Sequence, residues 1–221
     1  MLCTRVLHLL LCLLSIPAFV LVDATSGYSQ YISSDIHCDR DAHTSFVSNS
    51  YKYYAPVHKF TNFTKSFFDE SWYAGTIVSN TTGIDNLPGA TRAGDFGGYH
   101  FNETLTMYTS HPDALPWTLV YAYHGKEVTA AGQGINFGSS VTYFRYGEVL
   151  GFESICGGQA TLIDVRTYIC SDNPIAAYDS WATLHDLTFT ALAARVRAPV
   201  FTGDCLGSYD VSLDGLSQFL N

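Results

Sequence analysis

A histidine on the apolar face of a predicted helix is the residue best placed to do chemistry. Residues Asn173 to Arg197 repeat apolar side chains at helical spacing, and His185 lies on the apolar side between Trp181 and Leu192. An imidazole there could act as acid or base near neutral pH, or orient a phenol or a carbonyl. The alternative interpretation is a core histidine that hydrogen-bonds to a neighbouring backbone group.

Arg92 and Tyr121 complete the catalytic candidates. Arg92 follows the turn residues Pro88 and Gly89, where its guanidinium could hold a carboxylate or an enolate at the mouth of a cavity. The alternative is a surface arginine paired with Asp95 or another acid. Tyr121 is a second group that could move a proton in place of the histidine.

Aromatic and basic side chains on two predicted strands and on the helix are candidates for ligand binding. Tyr121 and Tyr123 share one face of their strand, and Tyr143 and Arg145 share one face of the next. If that face points outward, these residues are ordinary cross-strand partners. The ligand-binding candidates are Tyr123, Tyr143, Arg145, Trp181 and Phe189.

The helix that carries His185 has well-marked ends. Asn173 is a good N-cap, and Pro174 suits the first helical position. Arg195 and Arg197 suit the negative end of the helix dipole, and Pro199 prevents much continuation. The face predicted to be buried contains Tyr178, Trp181, Leu184, His185, Thr188, Phe189, Leu192 and Val196.

Strand-like segments separated by turns precede this helix. The sequence predicts a first strand at 45–55, one or two short helices at 57–73, and further strands at 75–80, 91–99, 101–110, 117–124, 141–151 and 160–170. Successive hairpins predict an antiparallel meander with one buried face, which the C-terminal helix is best placed to cover. The predicted fold class is therefore α+β.

This order of elements, together with the segment Leu87-Pro88-Gly89-Ala90-Thr91-Arg92, resembles the START-like or helix-grip superfamily. That group includes the Bet v 1 proteins and the polyketide cyclase and aromatase domains, and many members have a similar Pro-Gly-x-x-Arg turn between their second and third strands. The resemblance covers about 45–198. It implies a sheet wrapped around the long helix, with a cavity between them for an apolar or aromatic small molecule. A lipocalin-like barrel is the main alternative, and an NTF2-like cone is the third.

The N-terminus predicts export from the cell. Residues 1–24 combine Arg5, an apolar run and a small-residue ending, which is typical of a secretory signal peptide. An extended leader at 25–44, one domain at 45–198 and a C-terminal tail at 199–221 follow. We therefore expect a protein that is secreted or lumenal.

Glycosylation signals agree with export. Three sequons begin at Asn62, Asn80 and Asn102. Because Glu103 lies inside the third sequon, it is expected to be exposed. Asp164 and Arg166 lie on one face of a predicted strand, opposite its apolar residues, and are expected to form a solvent-side ion pair.

Four cysteines remain once the signal peptide is excluded: Cys38, Cys156, Cys170 and Cys205. An even set in an oxidising compartment predicts two disulfides, with three possible pairings. The preferred pairing joins Cys38 to Cys205, which ties down both ends, and Cys156 to Cys170 across one hairpin. No Cys-x-x-Cys or Cys/His cluster has the spacing of zinc ligands, so no metal site is predicted.

Charge and composition limit the classes of molecule that this protein is expected to bind. A net charge of −9 with 14% charged residues disfavours nucleic acid and anionic membrane surfaces. The 15 tyrosines and 14 phenylalanines fit an aromatic-lined interior, either as a pocket or as plain core. The expected partner is a hydrophobic small molecule, and no cofactor is expected.

Two functions of different class follow from such a cavity. The first is a cofactor-independent cyclase-, isomerase- or dehydratase-like enzyme of polyketide or terpenoid biosynthesis. The second is a secreted carrier or sensor that binds a hydrophobic metabolite or lipid without chemistry. A polar residue on the buried helix face is less useful to a carrier, so His185 favours the enzyme. A structural or host-interaction role is the third possibility.

Overall fold

The computed structural model describes residues 38, 41–73, 75–96, 99–111, 118–130, 143–203 and 205, with the backbone alone for 99, 118–130 and 143. The predicted signal peptide, almost all of the predicted leader and most of the predicted tail lie outside these residues. The start of the tail is attached to the first strand, since Phe201 N–H donates to Lys52 C=O at 2.8 Å.

Strands and helices follow the predicted order. Their bounds are β1 (His43–Tyr53), α1 (Val57–Thr64), β2 (Ile77–Thr82), β3 (Thr91–Phe96), β4 (Tyr99–His111), β5 (Thr118–Ala130), β6 (Tyr143–Ile155), β7 (Ala160–Ser171) and α2 (Pro174–Val196). A short 3-10 turn, Cys156–Gly158, joins β6 to β7. The α+β class is therefore confirmed.

The strands form one antiparallel sheet in the order β1-β7-β6-β5-β4-β3-β2. The strands from β2 to β7 neighbour one another in chain order, as a meander requires, and β1 pairs with β7. The described sheet is open, with β1 and β2 as its two edges, so the alternative of a closed lipocalin-like barrel is wrong. At the β2 edge, Gly94 is needed because a Cβ there would lie 2.0 Å from Ile77 O.

Helix α2 packs against β1 and β7 through the predicted apolar face. Asn173 caps its first turn by accepting a hydrogen bond from Ala176 N–H at 3.3 Å, and Arg197 ends it with a left-handed φ of 57°. The prediction of the buried face is wrong for one residue. Tyr178 is 46% exposed, because Ala176 and Ala177 occupy the buried side of that turn instead.

All four described cysteines form disulfides, but the preferred pairing was wrong: Cys38 joins Cys170, and Cys156 joins Cys205. Cys156 and Cys170 lie at opposite ends of β7, which at ~3.3 Å per residue separates them by roughly 40 Å. That distance is far beyond the reach of a disulfide. Cys38 precedes β1, whose Thr44 pairs with Cys170, so the β1–β7 register brings these two cysteines together.

Non-reducing peptide mapping should find Cys38–Cys170 and Cys156–Cys205 peptides. We expect Cys38→Ser/Cys170→Ser to lower the free energy of unfolding by about 1 kcal/mol more than Cys156→Ser/Cys205→Ser. The reason is that the first disulfide closes a separation of 132 residues and the second one of 49. Chemical denaturation of both double variants measures the difference, and a larger loss from the second would contradict it.

Candidate active site

Three residues that line a cavity come from one short segment between α1 and β2. Glu70, Tyr73 and Thr76 are buried and three residues apart. Backbone hydrogen bonds form two consecutive turns, from Tyr73 N–H to Glu70 C=O at 2.9 Å and from Thr76 N–H to Tyr73 C=O at 2.8 Å. Gly75 takes a φ of 75° in the second turn, which costs glycine little. The turns fix how the three residues follow one another.

The turn between β2 and β3 holds the start of this segment. Asp85 Oδ1 accepts a hydrogen bond from Phe68 N–H at 3.1 Å, and Asn86 Oδ1 accepts one from Phe67 N–H at 2.9 Å. These side chains satisfy backbone groups just after α1 that no helix or strand pairs. The backbone leading to Glu70 is therefore fixed relative to the sheet.

Arg92 on β3 is the centre of the polar cluster behind the cavity. It is 2% exposed, and its guanidinium donates to Glu70 Oε1 at 2.7 Å, Glu103 Oε2 at 2.5 Å and Phe67 C=O at 2.8 Å. It also stacks over the Phe67 ring, 4.3 Å from the ring centroid. A buried guanidinium needs such partners, because an unpaired buried charge is very costly.

Glu103 lies opposite Arg92 in the β3–β4 register and points into the same cluster. The prediction that it would be exposed was wrong: it is 3% exposed. Alternation along β4 explains this, because Asn102 points outward and Glu103 inward. The Tyr146 hydroxyl on β6 donates to Glu103 Oε1, so both carboxylate oxygens of Glu103 accept a hydrogen bond.

Aromatic rings and the two carboxylates enclose a small cavity, partly open to solvent. Its volume is about 10 Å³, which is roughly the space that one water molecule occupies. Its lining residues are Glu70, Tyr73, Thr76, Phe96, Phe101, Glu103, Tyr146 and Trp181. In this structure the cavity has room for one small polar group rather than for a whole ligand.

Two polar atoms at this cavity have no hydrogen-bond partner among the described residues. They are Glu70 Oε2 and the Tyr73 hydroxyl. Both side chains are buried, at 4% and 3% exposure. Leaving such groups unsatisfied is unfavourable, typically by about 1–3 kcal/mol each.

Burial changes the acidity of the whole cluster. Removal from water raises the pKa of Glu70 well above its ordinary value; Arg92 opposes this shift, while the negative charges of Glu103 and Glu148 add to it. Removal from water also raises the pKa of Glu103, although Arg92 and the Tyr146 hydroxyl act against the rise. The pKa of each phenol, Tyr73 and Tyr146, is raised for the same reason, so both stay protonated.

His185 lies in a second buried cluster next to the cavity wall. Its Nε2 is 3.3 Å from Glu148 Oε2 and its Nδ1 is 3.0 Å from Asn49 Oδ1, and it is fully buried. Thr167 donates to the same Glu148 oxygen at 2.8 Å. The ring of His185 lies 5.8 Å from that of Trp181, which lines the cavity. His185 is not itself one of the lining residues, and its described partners are side chains rather than backbone.

Of the other predicted site residues, Trp181 and Arg92 lie at or behind the cavity, whereas Phe189 lies in the core. Trp181 lines the cavity, and Arg92 stands behind it as a buried partner of two glutamates rather than paired with Asp95 at the surface. Phe189 packs against Tyr51, Trp72 and His185 within the core.

The remaining four candidate site residues lie on strands β5 and β6. Arg145 is half-buried and alternates with Tyr146, so it points to the opposite face of β6 from the cavity. The side chains of Tyr121, Tyr123 and Tyr143 lie outside the described residues. In the backbone register, Tyr123 lies opposite Glu148.

The predicted glycosylation sites and the predicted surface ion pair lie at the surface. The asparagines of all three sequons, Asn62, Asn80 and Asn102, are exposed. Arg166 donates to Asp164 at 2.7 Å with both side chains partly exposed, which confirms the predicted solvent-side ion pair.

Sequence reasoning missed the two glutamates and two tyrosines of the cavity lining, Glu70, Glu103, Tyr73 and Tyr146. Strand alternation places Glu103 on the same face as Phe101 and Leu105, which was a usable signal for burial. Glu70 and Tyr73 lie between a helix and a strand, where no periodicity applies.

Among the described residues, no group of three or more His, Cys, Asp or Glu side chains is arranged to hold a metal ion. No described helix is both long and apolar enough to cross a membrane. The two disulfides are typical of proteins that fold in an oxidising compartment.

A likeness to one solved structure supports the fold. No protein-family model and no curated protein matches the sequence. A crystal structure of a hypothetical protein from Helicobacter pylori is similar, with 13% identity, a TM-score of 0.52, and coverage of 69% of this chain and 88% of that chain. A protein from Nitrosospira multiformis has 19% identity, covers 69% of this chain and 96% of that chain, and has a TM-score of 0.48. At 13% identity, the likeness to the Helicobacter pylori protein extends to the fold alone.

Replacing Arg92 should destabilise the protein strongly. We expect Arg92→Leu to lower the free energy of unfolding by about 3–5 kcal/mol at neutral pH, since it leaves Glu70 and Glu103 buried without their cation. The matched control is Arg166→Leu, which breaks a partly exposed pair and should cost less than about 1 kcal/mol. Urea denaturation compares the variants, and equal losses would contradict the role given to Arg92.

The raised pKa of Glu70 predicts a pH-dependent stability. A carboxyl group whose pKa is raised by folding favours the folded state while protonated, so the free energy of unfolding should fall as pH rises through the raised pKa. The decline begins above about pH 4.3, the ordinary value for glutamate. In Glu70→Gln the amide does not titrate, so its decline should be shallower.

Denaturation curves recorded from acidic to alkaline pH test this dependence. Asp69→Asn is the control, because Asp69 is the exposed neighbour of Glu70. A Glu70→Gln curve parallel to the wild-type curve would show that Glu70 titrates alike in the folded and unfolded chains.

Proposed function

We propose that this protein is a cofactor-independent acid–base enzyme of the cyclase or isomerase type, acting on a hydrophobic small molecule of the polyketide or terpenoid kind. The observation that carries the proposal is the pair of buried glutamates, Glu70 and Glu103, which share Arg92 and border one cavity. Two carboxyl groups in different environments are suited to act as an acid and a base at the same pH.

The hydrogen bonds support a different role for each glutamate. Glu103 accepts from Tyr146 on one oxygen and from Arg92 on the other, which favours its ionised form and makes it the base. Glu70 accepts from Arg92 on Oε1, while its Oε2 has no hydrogen-bond partner in the described part of the chain. Glu70 also has the pKa that is raised well above its ordinary value, so it is the acid.

The reaction proposed is a proton transfer next to a carbonyl group. Glu103 removes a proton from the carbon beside the carbonyl, and the electron pair of that C–H bond forms a carbon–carbon double bond. The carbonyl oxygen takes the proton of Glu70 as the Glu70 O–H bond breaks, which gives an enol. When the enol proton returns to Glu70 and the proton on Glu103 passes to a different carbon of a conjugated enol, the product is an isomer. Attack of the enol carbon on a second carbonyl of the same molecule closes a ring, as the enol proton returns to Glu70 and the proton on Glu103 passes to the oxygen of the second carbonyl.

The wider structure supports the same assignment. An antiparallel meander with a long C-terminal helix packed on one face is the arrangement expected of a helix-grip protein of the START-like superfamily. Disulfides support a secreted or lumenal location. The non-catalytic carrier fits less well, because a site for a hydrophobic ligand is mostly apolar, whereas this cavity is bordered by buried polar groups that are costly to leave unsatisfied.

Hydrogen–deuterium exchange tests the proposed chemistry without knowledge of the natural substrate. Acetophenone and benzoylacetone are incubated with the protein in deuterium oxide, and loss of the protons beside the carbonyl is followed by NMR. We expect exchange faster than in buffer, and about 100-fold slower with Glu103→Gln. The control is Glu153→Gln, which changes a half-buried glutamate on β6 outside the cavity lining. Exchange at the buffer rate, or unaffected by Glu103→Gln, would contradict the proposal.

A further inference from the structure

We propose that the Tyr73 hydroxyl and Glu70 Oε2 together form a two-donor seat for one oxygen atom of the substrate, which is therefore an uncharged, enolisable ketone on a flat aromatic or conjugated skeleton. This inference rests on the proposed function and names its substrate class. Both atoms lack a partner among the described residues, both belong to residues that line the cavity, and both side chains are more than nine-tenths buried.

Both atoms are hydrogen-bond donors. The Tyr73 phenol carries a proton. Glu70 Oε1 accepts from Arg92, so a proton on this carboxyl group belongs on the other oxygen, Oε2. A buried carboxylic acid kept neutral in this way donates a hydrogen bond. An oxygen that gains negative charge during the reaction is the acceptor that such a pair stabilises best.

The seat is built before any ligand arrives. Glu70 and Tyr73 are joined by one backbone turn, and Trp72 between them is anchored through Nε1–H to Asp69 C=O at 3.1 Å and packs on Phe152. Donors held in place need little reorganisation when charge develops on the substrate. The volume of the cavity, about 10 Å³, suits a single oxygen atom.

The surroundings decide which ligands are excluded. Phe96, Phe101 and Trp181 provide aromatic walls that suit a flat skeleton. An ionised Glu103 at the same cavity repels a ligand that already carries a carboxylate or phosphate group. A ligand with an ammonium group is the competing possibility, because carboxylates and aromatic faces also attract cations.

Calorimetric titration with para-nitrophenol, a stable mimic of an enol, tests the seat. Phenol binding is expected to weaken about tenfold in Tyr73→Phe, as for one lost hydrogen bond. Glu70→Gln should keep most of the affinity, because its amide N–H replaces the lost donor, whereas Glu70→Leu should lose it. The control is Tyr54→Phe, which removes a hydroxyl from an exposed tyrosine and should change nothing.

A stability measurement separates the seat from a merely structural role. Because the Tyr73 hydroxyl has no hydrogen-bond partner among the described residues, Tyr73→Phe should fold as stably as the wild type or more so, while binding the phenol less well. A variant that loses stability and binding together would overturn the seat. Preferential binding of benzylamine or benzoate, or no binding of para-nitrophenol, would also overturn it.

The outcomes also separate this inference from the proposed function. Phenol binding that depends on Tyr73, without any ketone exchange, would leave the seat standing and reject the enzyme. Ketone exchange that depends on Glu103 but not on Tyr73 would leave the enzyme standing and overturn the seat.

Discussion

The burial of Arg92 is the constraint on which the rest of the structure depends. A guanidinium at 2% exposure is stable only with acceptors around it, and the acceptors described above come from two places: Glu70 and the Phe67 carbonyl in the segment after α1, and Glu103 in the β3–β4 hairpin. Because one planar cation connects them, a shift of the segment after α1 would disturb β4 as well. The same connection places two carboxylates beside one cavity and makes their ionisation interdependent.

Most of the fold could be predicted from local patterns. Asn173, Pro174 and the apolar repeat define α2, and alternation with turn residues defines the strands, because such signals act over a few neighbouring residues. The disulfides depend instead on which strands meet. Cys38 reaches Cys170 only through the pairing of β1 with β7, two strands far apart in the chain, and the spacing of cysteines carries no information on that pairing.

The candidate site was predicted less well, for a related reason. His185 was noticed because a polar residue interrupts an apolar helix face, yet its partner Glu148 lies on β6 and is found only through packing. At Glu103 two signals conflicted. The sequon indicated exposure, and strand alternation indicated burial. Asn102 and Glu103 are adjacent on β4 and point to opposite faces. The sequon therefore described Asn102 correctly, and the alternation described Glu103 correctly. Glu70 and Tyr73 belong to turns that hydrophobic patterns do not describe.

The position of the polar residues in one irregular segment affects how such a protein can evolve. Glu70, Tyr73 and Thr76 all belong to a single segment of irregular structure, and none of them takes part in the pairing of the strands. Substitutions there would alter the polar groups offered to a ligand while the hairpins and α2 remain intact. The scaffold and the chemistry are thus separable, and a short exchangeable segment is enough to give related sheets different selectivities.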